Sequence, residues 1–336
     1  MAMENIREKR VGQIAVVCTD RERTAAFYSG VFGWEHAFGT ESFMGEMISE
    51  VQSMQNAAAS TRWLIDSRPG FQVEIFQYAC PESRPLPKDT SVSDQGYNRI
   101  IIATRSLADV RDRVTGLDPE LAAAFTVDEA DGKRALGRDP DGVLLEIFER
   151  PDWVPAADHS VMLGVGVTVN DLELFSEDLV QGFSFQPEAD LFEHAQHWDL
   201  DGHLEKCQTL KLADMFVVAS QYRHSRQRPD DYKLGDIGIR KFADFHPSMA
   251  AFKEAYLHTC GLGMRSNCVP QITRGKGAVV YQNTHEGFSV EMLYLDTSLW
   301  GLFGFARATW LDQVLDTIAT WKARREYRKY VTRGEG

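Results

Sequence analysis

The chain has 336 residues, 43% apolar and 25% charged, a globular composition for which two domains are the default expectation. Its 36 basic and 49 acidic residues leave a formal charge of −13, which repels phosphate backbones and sets nucleic acid aside as a partner. No run approaches the length of an apolar membrane span, the segment MAMENIREKR is polar, and five cysteines without metal-type spacing read as free thiols; a cytoplasmic protein without membrane contact is expected.

In chain order, VGQIAVVCTD reads as a strand ended by Thr19-Asp20. Asp20 is a good N-cap for RERTAAFYSGVFG, where Ala25, Tyr28 and Phe32 form an apolar stripe at helical spacing and Gly33 closes the helix. WEHAFG begins an extended segment, and residues 41–60 fit a loop or short helix as well as a strand. RWLIDS and FQVEIFQY then read as strands around a Pro-Gly turn, before the break PESRPLPKD. The pattern restarts with GYNRIIIATRS, LADVRDRVTGL and strands ending in DPDGVLLEIFE. It restarts again with VMLGVGVTVND, LELFSEDLVQGF and strands through MFVVASQYR, and once more with GDIGIRKFADF, PSMAAFKEAYLHTCG and strands ending in GFSVEMLY. One strand-helix-strands unit therefore occurs four times, and such a repeat should decide the fold. A last segment places Leu311, Val314, Leu315, Ile318 and Trp321 at helical spacing and turns basic at Arg324, Arg325 and Arg328. It is expected as a helix packed on its own chain or on a second subunit.

Charged residues inside apolar strands are the functional signal, because a buried carboxylate costs several kcal/mol unless something pairs with it. Glu146 sits in GVLLEIFE, and strand parity puts Val143, Leu145 and Ile147 on the opposite face. Glu74 stands likewise between Val73 and Ile75, and Gln13 alternates with Ile14. Counting seven back from the helix starts Asp20, Ser106, Asp171 and Asp244 gives Gln13, Arg99, Gly164 and Ile237. The closing strands place Glu74, Glu146, Val218 and Glu291 at matching positions.

The stretch QIAVVCTDRERTAAFYSGVFGW and the close RDPDGVLLEIFE resemble the vicinal oxygen chelate superfamily, which includes glyoxalase I, bleomycin- and fosfomycin-resistance proteins and the extradiol dioxygenases. The resemblance implies an α+β fold of four βαβββ modules paired into two curved-sheet cups, plus the C-terminal helix. It implies a first domain over 1–152, a degenerate second over 153–300 and an extension over 301–336. It further implies that first and last strands supply ligands to a divalent metal (Mg, Mn, Ni, Co, Zn or Fe) in the cup.

Carried over by position, the metal set would be Gln13, Glu74 and Glu146, and Arg99 departs from the pattern because a guanidinium has no lone pair to offer. Two readings stay open: a metal site with Arg99 turned toward an anionic substrate, or an internal ion pair of Arg99 with the glutamates. The activity implied is that of an enzyme on a small oxygenated organic molecule, with Glu74 or Glu146 as base and Arg99 or a metal as electrophile. Isomerase or lyase chemistry comes ahead of dioxygenase chemistry, and the alternative is a non-catalytic small-molecule binding protein. Monomer and homodimer are both open. No functional role is expected for His194, His197 and His203, pocket lining coming ahead of metal binding as the alternative, and HEG at 285–287 is expected to form a turn.

Overall fold

The first helix of each strand-helix-strands unit begins on a side-chain cap. Asp20 accepts from the backbone N–H of Glu22 and Arg23, Ser106 from Asp109, Asp171 from Leu174, and Ser248 from Ala251. The structure, a computed structural model, describes residues 8–334 apart from 69, 128–132, 189–202 and 274. His194 and His197 lie outside the described residues.

Each cap opens one module. The first contains β1 (Arg10–Val17), α1 (Arg21–Phe32), β2 (Glu35–Met44), α2 (Glu46–Val51), β3 (Ala58–Ile65) and β4 (Gln72–Cys80). The second has β5 (Gly96–Thr104), α3 (Leu107–Leu117), α4 (Pro119–Ala123), β6 (Thr126–Val127), β7 (Arg134–Arg138) and β8 (Leu144–Glu149). The third has β9 (Ser160–Val169), α5 (Leu172–Glu177), β10 (Gln186–Glu188), β11 (Leu204–Leu212) and β12 (Met215–Tyr222). The fourth has β13 (Gly238–Phe245), α6 (Met249–Gly261), β14 (Arg265–Ser266), β15 (Gln271–Thr273), β16 (Gly277–Asn283) and β17 (Ser289–Leu295), followed by α7 (Trp310–Gly334). Residues 41–60, open in the sequence, become the end of β2, α2 and the start of β3.

The modules do not pair in chain order. One sheet runs β14-β16-β17-β13-β1-β4-β3-β2, with β15 on β16, and joins modules one and four. The other runs β10-β11-β12-β9-β5-β8-β7-β6 and joins modules two and three. The antiparallel seams are β1 against β13 and β5 against β9. This corrects the expected cups: residues 1–152 contribute half of each sheet, not one whole sheet. All modules carry the same alternation, so pairing partners are chosen by long-range packing and not by local pattern.

Strand parity is as expected. Ile14, Val73, Ile75, Ile100, Ile102, Leu145 and Ile147 join one core with α1, α3, α5 and α6, to which both sheets contribute. The opposite faces line the two cups. The DPDG segment is a turn in which Asp139 accepts from the N–H of Asp141 and Val143 and from the hydroxyl of Tyr28 at 3.1 Å. HEG is also a turn: the Glu286 carboxylate accepts from the N–H of Asn170 and Asp171, as Asp141 does from that of Thr19.

Helix α7 lies along β2, where Asp316 accepts from Thr40 and the Tyr327 hydroxyl donates to the Asn56 carbonyl at 3.1 Å. The stripe expected to pack on its own chain or on a second subunit is exposed on the single chain, at Leu311, Val314, Leu315, Ile318 and Trp321. Among the described residues no helix is long and apolar enough to cross a membrane.

Candidate active site

The module pairing divides the expected site residues between two cups. In register, Glu74 stands beside Ala15, Glu146 beside Ile101, Val218 beside Gly166 and Glu291 beside Ala243. The first-strand position two residues earlier is thus Gln13, Arg99, Gly164 and Lys241. The expected Ile237 is corrected to Lys241 for a simple reason. Asp244 is not a helix cap but a buried strand residue paired with Lys9 at 3.0 Å, and counting from the true cap, Ser248, lands on Lys241.

Modules two and three hold Arg99 and Glu146. The Arg99 Nε donates to the Glu146 carboxylate at 2.7 Å, and Arg134 Nη2 donates to its other oxygen at 2.6 Å. Arg99 and Arg134 are each 1% exposed and Glu146 2%. Burial works against the charged carboxylate, but the fields of Arg99 and Arg134 outweigh it and hold Glu146 below the usual carboxylate range. Gly166 is required here, since a Cβ at that position would fall on the Arg99 guanidinium. The apolar side chains Ile101, Phe148, Leu163, Phe216 and Val218 cluster in this cup. The ion-pair arrangement of Arg99 with Glu146 is thus the observed one, with Arg134 as the second cation and Glu74 absent from it. The set Gln13, Glu74 and Glu146 is not brought together: Glu146 stands in the other sheet.

Modules one and four bring Gln13, Glu74, Lys241 and Glu291 together. The Gln13 amide donates to Glu74, the Trp63 indole N–H donates to Glu74 at 3.1 Å, and the Gln72 amide donates to Gln13 at 3.3 Å. Lys241 Nζ reaches Glu74 at 3.3 Å and also donates to Glu291, with the Tyr281 ring at 5.0 Å. Burial pushes the Glu74 carboxyl up to about 7, with Lys241 pulling it down and Glu291 adding to the rise. Gln13, Trp63, Gln72, Glu74, Tyr281 and Glu291 line a cavity of about 290 Å³ walled by Phe43, Met47, Phe76, Leu293 and Phe305, with Asp316 and Ala319 of α7 at its edge, while Lys241 is buried behind the two carboxylates.

The donor chemistry of this quartet does not fit a divalent metal. Lys241 offers only donors, and its ammonium already bridges the two carboxylates a cation would need. No cluster of three His, Cys, Asp or Glu placed to hold a metal occurs among the described residues.

A scan against protein-family models finds none that matches, and a search of curated proteins finds no relative. Solved structures do match. Glyoxalase I from Zea mays superposes with a TM-score of 0.57 over 85% of this chain and 92% of that one, at 15% identity. A Bacillus subtilis protein provisionally described as a dioxygenase gives 0.59 over 87% and 89%, at 13% identity. The chain has the vicinal oxygen chelate fold. Its residues depart from the ligand pattern that the resemblance implied: each cup carries a cation, Lys241 or Arg99, at a first-strand position.

The sequence reading missed Lys241, Arg134 and Arg240. The signal that exposed Glu146 was present for two of them, since Arg240 and Lys241 are charges within the apolar strand GIRKFADF.

Proposed function

We propose that the cup of modules one and four is the active site of an enzyme that moves a proton on a small carbonyl-bearing organic molecule, with Glu74 as the base. The observation that carries this is the Glu74 carboxyl, buried in a cavity wall, held near 7 and touching an ammonium. A general base works best when its pKa lies near the operating pH.

Glu74 would take a proton from the carbon beside the carbonyl, and the electron pair of that C–H bond would move into an enolate. The Lys241 ammonium, buried behind Glu74 and Glu291, would stabilise the enolate's charge through its field, without touching the substrate. Return of the proton from Glu74 to the other face or a neighbouring carbon makes the enzyme an isomerase, and departure of a β-leaving group makes it a lyase. Gln13 and Trp63 fix the carboxylate by donating to it. Glu146 and Arg99 have no part in these steps, because their ion pair belongs to the other sheet.

Solvent deuterium exchange into a panel of small aldehydes and ketones, followed by NMR, tests the reading. Wild type should catalyse exchange on at least one member, and Glu74→Gln should lower the rate by about 10²–10⁴-fold. Exchange unchanged in that variant refutes Glu74 as base, whereas a panel member bound without exchange would make the cup a binding site alone.

A further inference from the structure

Beside the cup lies a second cavity, of about 380 Å³, whose lining includes Arg84, Arg226, Arg228, Lys233 and Arg240 against Asp94 and Asp236. Five basic groups against two acidic ones is an unusual concentration on a chain of net charge −13. Several of the rim cations have partners: Arg84 reaches Asp231 at 2.7 Å, Arg226 reaches Asp89 at 2.9 Å, and Arg228 donates to the Glu286 carbonyl at 3.1 Å. Arg240 is different. It is 1% exposed, its Nη1 donates to the Tyr78 hydroxyl, and its Nε and Nη2 are buried without an acceptor among the described residues. Its guanidinium stacks 4.6 Å from the Phe76 ring and 5.1 Å from that of Tyr78, which holds the fork in place without neutralising it.

The backbone explains how it comes to be there. Ala15 pairs with Lys241 and Val16 with Ile239, so Arg240 is the extra residue of a β-bulge. A bulge re-aims side chains, and here consecutive residues diverge: Lys241 turns to the buried side of Glu74 while Arg240 lines the basic cavity. Gln52 lines both cavities. A buried guanidinium with two orphaned N–H groups is costly in the free protein and becomes favourable when an oxyanion accepts both.

We infer that the basic cavity is an anion subsite, in which Arg240 Nε and Nη2 grip the carboxylate or phosphate group of a small organic anion whose remainder extends past Gln52 toward Glu74 and Lys241. The anion subsite stands on Arg240 alone, and only the statement that the same molecule reacts at Glu74 rests on the proposed function. The substrate class is then a small acidic carbonyl compound, with its charged end in one cavity and its reacting carbon in the other.

Inorganic phosphate and malonate, titrated calorimetrically at constant ionic strength into wild type, Glu74→Gln, Arg240→Met and Arg240→Lys, test it. At least one anion should bind wild type and Glu74→Gln alike, and bind Arg240→Met at least 10-fold more weakly. Arg240→Lys keeps the charge but loses the fork, so its affinity should also fall. Arg240→Met should melt no lower than wild type, since a merely structural arginine would be missed on heating. Undiminished affinity in the Arg240 variants, or no binding of either anion to wild type, overturns the subsite. If Arg240→Met does not fold, the lysine variant decides by the same criterion. Loss of anion binding with normal exchange by Glu74→Gln would sustain the subsite and sink the base.

Discussion

Removing the Glu146 carboxylate should unfold the protein far more readily than it should alter any chemistry. Glu146 accepts from Arg99 at 2.7 Å and from Arg134 at 2.6 Å, joining β5, β8 and β7 across one cup. Glu146→Ala leaves two guanidiniums in a site where both are 1% exposed, deprived of that shared counter-charge. Breaking a buried pair in this way costs about 3–5 kcal/mol, because the stranded charge keeps its desolvation penalty. The loss falls on Arg99, whose remaining side-chain hydrogen bond among the described residues is to the neutral Asn98 at 3.1 Å, and about 3–5 kcal/mol is a large share of a typical domain's stability. Urea unfolding followed by tryptophan fluorescence should show the midpoint fall accordingly. Replacing Arg99 and Glu146 together, as Arg99→Met with Glu146→Leu, removes that stranded charge as well, so the double variant should be more stable than Glu146→Ala. A Glu146→Ala protein within about 1 kcal/mol of wild type, or a double variant less stable than the single one, would refute the reasoning. Glu146 would then be free for a role in chemistry after all.

Two further outcomes follow from the same geometry. The Glu74 carboxyl is raised from 4.5 to about 7 on folding, so the folded chain binds its proton more tightly than the unfolded chain. Its contribution is full below pH 4.5 and is lost as pH rises to about 7, on the order of 3 kcal/mol if the whole shift is realised. Subtracting the stability profile of Glu74→Gln from that of wild type isolates this slope from that of Asp139, which is also raised to about 7; a flat difference between pH 4.5 and 7 contradicts it. Gly166→Ala should destabilise by about 1–3 kcal/mol, because its Cβ displaces the Arg99 guanidinium from Glu146. A thermal melt unchanged by that substitution would mean that Arg99 has another resting place.

Much of this was legible along the chain. Asp20, Ser106 and Asp171 announce their helices because a capping oxygen acts within three residues, and Glu74, Glu146 and Glu291 stand out as acids among aliphatics. What failed was non-local. Asp244 mimics a cap in sequence, yet it is neutralised by Lys9, more than two hundred residues away, and it hid Lys241 behind a wrong count. The choice of β13 as partner for β1, rather than β5, depends on how whole modules fit together. That choice moved Glu146 out of the company of Gln13 and Glu74 and put Lys241 into it.

The seam between β1 and β13 also governs when the cup can come into being. β1 ends at Val17 and β13 begins at Gly238, so at roughly 5–20 residues per second the ribosome leaves the β1 edge without its partner for roughly 10–45 s. The inner pair, β5 with β9, closes much sooner, because Gly96 and Val169 are near in the chain. Synthesis should therefore pass through a chain whose dry, salt-bridged cup is complete while the carboxylate-lined one is still half a cup with an open strand. Protease digestion of chains truncated near residue 235 and released from the ribosome would test this order, with protection of modules two and three and cleavage within module one as the expected pattern. The half that holds Glu74 and Lys241 is the last to be sealed, and its first strand must stay available, without aggregating, until the final module emerges.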